Sequence, residues 1–200
     1  MADDVSLIAK NHKYVTTDGK KLPSVSEIIE PLSKCVYGEI DAEVLAIAAM
    51  RGTLIHELTE QLDTQKIIEC PEEVSGYLTA YADFLREHSV RWLYTEKALR
   101  LDYEYAGTID RFGFVDDKRV LVDIKTSSKI TGKNLVVYEA QLNLYRRMLE
   151  AHEERVERMV VLHLKKDGEY TLEEINIDDT LADDCLYIYK RMHERKRRSK

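Results

Sequence analysis

The stretch Thr108-Ile109-Asp110-Arg111-Phe112-Gly113-Phe114-Val115-Asp116-Asp117-Lys118-Arg119-Val120-Leu121-Val122-Asp123-Ile124-Lys125 decides the fold. Its two halves are rich in β-branched and aromatic residues, and Asp116-Asp117 between them reads as a two-residue turn, so the whole predicts a β-hairpin. With the turn there, Val115 faces Lys118, and counting outward sets Asp110 opposite Asp123. With the turn at Asp117-Lys118 instead, Asp110 faces Lys125 and Asp123 is its diagonal neighbour. Either register clusters two acids and a lysine, because residues two apart in a strand share a face. Like charges directly opposite destabilise a strand pair. Two readings meet this tension. One is a divalent cation held between the acids with an ammonium beside it. The other is a solvent-facing strand surface with an incidental Asp–Lys pair.

Composition narrows the class. The 200 residues, 44% apolar and 34% charged, suffice for one soluble domain with a proper core. No apolar run approaches the roughly 20 residues of a membrane span, and the acidic start Met1-Ala2-Asp3-Asp4 has no secretory h-region. Cys35, Cys70 and Cys185 are scattered and odd in number, which suits a reducing cytoplasm. They provide no CxxC pair and too few thiolates for an iron–sulfur cluster. The net charge is −7, yet Lys190 to Lys200 holds seven Lys or Arg against one acid, a local +6 that leaves −13 on the other 189 residues. An acidic body opposes non-specific nucleic-acid binding, although a local basic groove is compatible with it. The basic tail reads as a solvated helix end or as a contact to phosphates.

Periodicity places the remaining elements. Tyr14 to Leu22 reads as a hairpin around Asp18-Gly19, and Ser24 and Glu27 stand at capping-box spacing after Pro23. Apolar residues recur at helical spacing from Asp41 to Asp63 (Val44, Leu45, Ile47, Ala48, Leu54, Ile55, Leu58, Leu62), and a further helix runs from Pro71 to about His88. Val90 to Leu101 reads as a strand before the hairpin. A helix follows from about Tyr138 to His152, then strands Met159 to Leu164 and Tyr170 to Ile177, then a last helix from about Asp178. The order predicts one α/β domain over 1–200, a central mixed sheet flanked by helices. Its parts are a helical region about 23–88, a sheet core about 90–177 and a basic helix about 178–200.

Four further features carry chemistry or a neutral alternative. Glu96 falls opposite Asp110 if the preceding turn centres on Tyr103, which lines up three carboxylates; otherwise it is an exposed strand glutamate. His56-Glu57 suggests a zinc-protease helix, but Glu60 stands where the second histidine of HExxH belongs, so that reading fails. Gly52 inside a helix costs about 1 kcal/mol against Ala, a hint of close approach to the backbone. Gln141 and Tyr145, at i and i+4, share a helix face able to hold a phosphate or water, or form a plain polar rim.

Arg51-Gly52-Thr53 with His56, Gly107-Thr108-Ile109-Asp110, Asp123-Ile124-Lys125-Thr126, and Gln141 with Tyr145 occur in that order. Together they resemble the RecB-like branch of the PD-(D/E)XK nuclease superfamily, including phage-type exonucleases, and Pro23-Ser24-Val25 is similar to phage-type members. The resemblance covers roughly Leu22 to Leu164. It implies a restriction-endonuclease-like α/β/α core and a metal-dependent DNA nuclease, more an exonuclease on ends or single strands than a sequence-reading endonuclease. A non-catalytic nucleic-acid-binding protein on the same fold and a structure-specific endonuclease are the alternatives it leaves. Asp110 matches the first acid, with Ile109 in place of the namesake proline, and Asp123 and Lys125 match the second acid and the lysine. His56 and the carbonyl of Ile124 would complete the ligands of Mg²⁺ or Mn²⁺. Lys125, Gln141, Tyr145 and Glu96 would serve catalysis. Arg51, Thr126, Ser127, Lys129 and Tyr138 would contact DNA. The family implies a partner in recombination or replication; oligomeric state is not readable from the chain.

Overall fold

The computed structural model describes residues 5–8, 13–38, 41–64 and 69–198. Three short strands come first: β1 (Val5–Ile8), β2 (Lys13–Thr16) and β3 (Lys21–Leu22) form a small antiparallel sheet of their own. The expected Tyr14–Leu22 hairpin is thus present, with β1 added. Helix α1 (Val25–Tyr37) opens on the expected capping box: Ser24 Oγ accepts from the Glu27 amide at 3.0 Å, and the Glu27 carboxylate accepts from the Ser24 amide at 2.7 Å. Two otherwise orphaned amides are satisfied reciprocally, a cap worth about 1 kcal/mol.

Helix α2 (Ala42–Asp63) begins at Asp41, whose carboxylate caps the amides of Glu43 and Val44. Its two halves differ. Ile55 and Leu58 are buried, whereas Val44, Leu45, Ile47 and Met50 are exposed, so the apolar spacing of the first half does not meet a core among the described residues. The helix expected from Pro71 resolves into a single 3₁₀ turn (Glu72–Val74) followed by α3 (Ser75–Glu87).

The main sheet has the order β4-β5-β6-β7-β8, built from Val90–Leu101, Tyr105–Val115, Lys118–Lys125, Arg158–Leu164 and Tyr170–Ile175. All neighbours are antiparallel except β6 and β7, which run parallel and are joined across α4 (Gly132–Ala151). Helix α4 starts six residues before the expected Tyr138, because Thr131 and Asn134 form a capping box that the polar stretch Gly132-Lys133-Asn134 conceals from a periodicity reading. Helix α5 (Thr180–Arg198) closes the chain. Helices α1, α4 and α5 cover one sheet face over Ile109, Phe112, Leu121 and Met159. Helices α2 and α3 cover the other over Val120, Val122, Ile124 and Leu162. The result is the α/β/α sandwich expected, with apolar runs in β6 and β7 as strands buried on both faces require.

The β5–β6 turn falls at Asp116-Asp117, both with positive φ (49° and 64°), and Val115 pairs with Lys118. This two-residue turn of primed type matches the twist of the strands. Asp116 is further braced, its carboxylate accepting from the Ser89 amide at 3.0 Å and meeting His88 Nδ1 at 2.6 Å.

Glycines test the packing. A Cβ on Gly76 would stand 1.9 Å from the Lys166 carbonyl oxygen, while one on Gly52 would meet nothing within 4 Å, so the close approach suggested at Gly52 is not found. Gly52→Ala should therefore raise stability by about 0.5–1 kcal/mol, the helical preference for Ala. Gly76→Ala should lower it by about 1–3 kcal/mol or more through backbone displacement. Urea unfolding of both variants checks the opposite signs.

Candidate active site

The registered pairs of β5 and β6 run from Val115–Lys118 to Arg111–Val122 and then stop, one step short of Asp110 and Asp123. Beyond that point β6 continues alongside β7 to Lys125. The strands part at a fork, and the Asp110 side chain bridges it: its Oδ2 accepts from the Ile124 amide at 2.7 Å. A side chain thus replaces the missing ladder bond.

Strand β5 is irregular at the same place. Ile109 and Phe112, three residues apart, both pack on the α4 side, which strict alternation forbids. Asp110 and Arg111, though consecutive, both reach α2. Strand β4 shows the matching disturbance, a register shift between Trp92 and Tyr94 and a positive φ of 44° at Glu96. Bulged strands re-aim side chains, and such backbone conformations collect at functional sites.

The re-aimed side chains converge. His56 Nδ1 lies 3.1 Å from Glu96 Oε1 and 3.6 Å from Asp110 Oδ1. One ligand atom from each of His56, Glu96 and Asp110 lies within 4.8 Å of the others. Glu96 therefore stands inside the cluster with the first acid, as its count opposite Asp110 suggested. Burial alone would lower the His56 pKa, but the charges of Asp110 and Glu96 overcome it and hold the imidazolium up to about 9. A protonated histidine between two carboxylates occupies the place of a cation. The donor set, one imidazole and hard carboxylate oxygens, fits a divalent ion.

Asp123 is buried, and its Oδ2 stands 2.7 Å from Lys125 Nζ as an ion pair. Burial raises the Asp123 carboxyl despite the lysine beside it. Burial would lower the ammonium of Lys125, but Asp123 and Asp110 more than offset that and keep it charged. Lys125 also donates to Gln141 Oε1 at 3.3 Å, and Gln141 Nε2 donates to the Tyr145 hydroxyl at 3.2 Å. The i, i+4 pair on α4 thus faces the site. Tyr138 and Tyr145 are both buried; Tyr138 lies beneath Lys125, 5.1 Å from ring centroid to Nζ, and Tyr145 lies against Gly107. Neither ring is open for a base to stack on. Of Ile124, the amide is committed to Asp110.

The loop after β6 carries the remaining expected residues. Thr126 is buried and its carbonyl accepts from Arg51 Nη2 at 3.4 Å; Ser127 Oγ donates to the Lys129 carbonyl at 3.4 Å. His163, buried on β7 beside Lys125, meets the Ser127 carbonyl at 2.6 Å and pins this loop. The sequence reading missed His163.

It also missed Arg111, which is fully buried under the cluster. Arg111 Nε donates to Asp63 Oδ2 at 2.7 Å, Nη1 to Glu96 Oε1 at 3.0 Å and to the Asp110 carbonyl at 2.7 Å, and Nη2 to Thr59 Oγ1 at 3.1 Å. Asp63 Oδ1 in turn accepts from Tyr81 at 2.7 Å and Trp92 at 3.0 Å. A signal existed: His56, Thr59 and Asp63 fall at i, i+3 and i+7, a polar stripe on one helix face.

A mixed five-stranded sheet between helix layers is consistent with the restriction-endonuclease-like fold. The sequence model of the PD-(D/E)XK nuclease superfamily matches residues 74–197, more than half of the chain, and the chain belongs to that superfamily. Its members are phosphodiester hydrolases that act on nucleic acid with divalent metals. The match begins after His56, so the histidine stands on geometry. Among solved structures, SSO0001 is similar at 18% identity and a TM-score of 0.45, over 84% of this chain and 76% of that one. An alkaline exonuclease from Laribacter hongkongensis is similar at 14% identity and a TM-score of 0.39, over 88% of this chain and 89% of that one. At this level neither likeness speaks to substrate. No curated protein matches the sequence significantly. Among the described residues no helix is long and apolar enough to cross a membrane.

Removing one partner of a buried ion pair strands the other charge, at a cost of about 3–5 kcal/mol. Asp63→Ala should therefore unfold at markedly lower urea, whereas Glu57→Ala, an exposed change on the same helix, should stay within about 0.5 kcal/mol of the parent.

Proposed function

We propose that this chain, acting as one nuclease unit, is a DNA nuclease dependent on Mg²⁺ or Mn²⁺, of the RecB-like and phage-type branch, that works as an exonuclease on DNA ends or single strands. The observation that carries the reading is the convergence of His56, Glu96 and Asp110 at the β5–β6 fork, within reach of the Lys125–Asp123 pair. The motifs Arg51-Gly52-Thr53 with His56, and Gln141 with Tyr145, support the branch. Three free cysteines suit the cytoplasm.

His56, Asp110 and Asp123, with the Ile124 carbonyl, would hold the ion, and Glu96, whose carboxylate clusters with His56 and Asp110, would join them as a ligand. The ion, when bound, supplies Lewis acidity that eases deprotonation of water and offsets charge on the phosphoryl group. Lys125, held in place by Asp123 and Gln141, positions the attacking water or offsets charge developing on the phosphate. Gln141 orients that lysine, and the Tyr145 hydroxyl fixes the Gln141 amide. Arg51 on α2, with Thr126, Ser127 and Lys129 in the loop after Lys125, would contact the flanking phosphates. Tyr138, closed off beneath Lys125, supports the lysine rather than stacking on a base.

Incubation with end-labelled single- and double-stranded DNA and closed circular DNA, in Mg²⁺, Mn²⁺ or EDTA, tests this. Metal-dependent loss of linear DNA that spares circles is expected; cut circles would make it an endonuclease, and binding without cleavage a non-catalytic binder. Lys125→Ala should lower cleavage by at least roughly a hundredfold, the scale for losing one preorganised charge stabiliser. It should still fold, because Asp123 can take up a proton in its buried place. Asp123→Ala should remove both cleavage and metal affinity, and cleavage at the parent rate in either variant would refute the site.

A further inference from the structure

We propose that Arg111 is a positioning residue for the metal site: its guanidinium ties Glu96 to a buried anchor, Asp63, and so sets where the Glu96 carboxylate stands relative to His56 and Asp110. The proposal rests on the reading of that cluster as a divalent-cation site. Three elements supply the cluster: α2 brings His56, β4 brings Glu96 and β5 brings Asp110. Arg111 bonds to all three. It reaches Thr59 and Asp63 on α2, the Glu96 carboxylate on β4, and the Asp110 carbonyl in its own strand.

The chemistry of the group matters. A planar guanidinium offers five donors in a fixed fork, so one side chain can fix several acceptors at set angles, which an ammonium cannot. Its positive charge beside the site would by itself repel a cation. Asp63, locked by Tyr81 and Trp92, cancels that charge from below, so Arg111 fixes direction with little net electrostatic cost to metal binding. Both His56 and Arg111 meet Glu96 at the same oxygen, Oε1, which restricts rotation of the carboxylate.

Two further observations favour a role beyond stability. A buried ion pair is weak evidence for stability, since apolar residues of similar volume serve as well or better. Glu96 holds a left-handed backbone conformation inside a strand, which costs about 1–3 kcal/mol and persists only where the surroundings over-determine it. The bond from Arg111 to its carboxylate is one such restraint.

The test is Mn²⁺ affinity of the full chain, read by electron paramagnetic resonance of free aquated Mn²⁺, for the parent, Arg111→Lys, Glu96→Gln and the double variant. Thermal melting monitors the fold. Arg111→Lys keeps the buried charge but loses the fork. It should remain folded and bind Mn²⁺ about tenfold more weakly, the lower end for losing a partner of a metal ligand. In the Glu96→Gln background the same change should cost nothing further, because its effect runs through that carboxylate. Parental affinity in Arg111→Lys overturns the proposal, as does a tenfold loss that persists in the Glu96→Gln background. If Arg111→Lys fails to fold, Thr59→Val removes the Nη2 anchor together with the Thr59 hydroxyl's bond to the His56 carbonyl, and a loss through the latter would persist in the Glu96→Gln background. A smaller loss of affinity that vanishes in the Glu96→Gln background supports the proposal, and no loss overturns it. A parent chain that takes up no Mn²⁺ would instead refute the metal-site reading itself.

Discussion

The β5–β6 ladder stops short of Ile124, and the carboxylate of Asp110 accepts from the Ile124 amide. Much of the site depends on that bond. A β-ladder that continued past Arg111–Val122 would pair Asp110 with Asp123 directly and press two carboxylates together. Parting the strands relieves the contact, and one acid stabilises the opening by accepting the exposed amide. Its other oxygen then turns to His56, while Asp123 turns to Lys125.

Helix α2 does more than cover a sheet face. Its inner polar stripe of His56, Thr59 and Asp63 lies over β5 and meets Asp110 and Arg111 in succession. The two consecutive strand residues can both reach it only because β5 breaks alternation between Ile109 and Phe112. The irregularity of the strand and the polarity of the helix are thus complementary parts of one device.

The hairpin, the clustering of Asp110, Asp123 and Lys125, and the layer order were legible in the sequence, since each follows from short-range pattern; the choice between the two turn positions and the fork that ends the ladder at Arg111–Val122 were not. Glu96 was legible too, because counting from Tyr103 brings it to Asp110, and the observed pairs on either side, Lys97–Ile109 and Thr95–Arg111, keep that count. Other features were hidden. Asp63 shares a polar helix face with His56 and Thr59, but its partner Arg111 lies 48 residues on, beside Asp110 in a strand that breaks alternation, so no local period marks Arg111 as buried. The start of α4 was missed because its capping box precedes its apolar face. The first half of α2 misled in the other direction: its spacing suits a buried helix, but Val44, Leu45, Ile47 and Met50 stay exposed. Tyr138 reads as a DNA contact in the sequence, and only packing shows its ring enclosed beneath Lys125.

The Asp116-Asp117 turn has a consequence for the order of assembly. Two-residue hairpins close within microseconds, being the most local contacts a sheet can make. Asp110 and Asp123 are therefore brought near one another early, while His56 meets Glu96 across 40 residues of chain. Until α2 docks, the nascent hairpin carries its acids without their histidine, and only Lys125 moderates them. The functional end of the hairpin is thus its open end, and the cluster is complete only once α2 has docked.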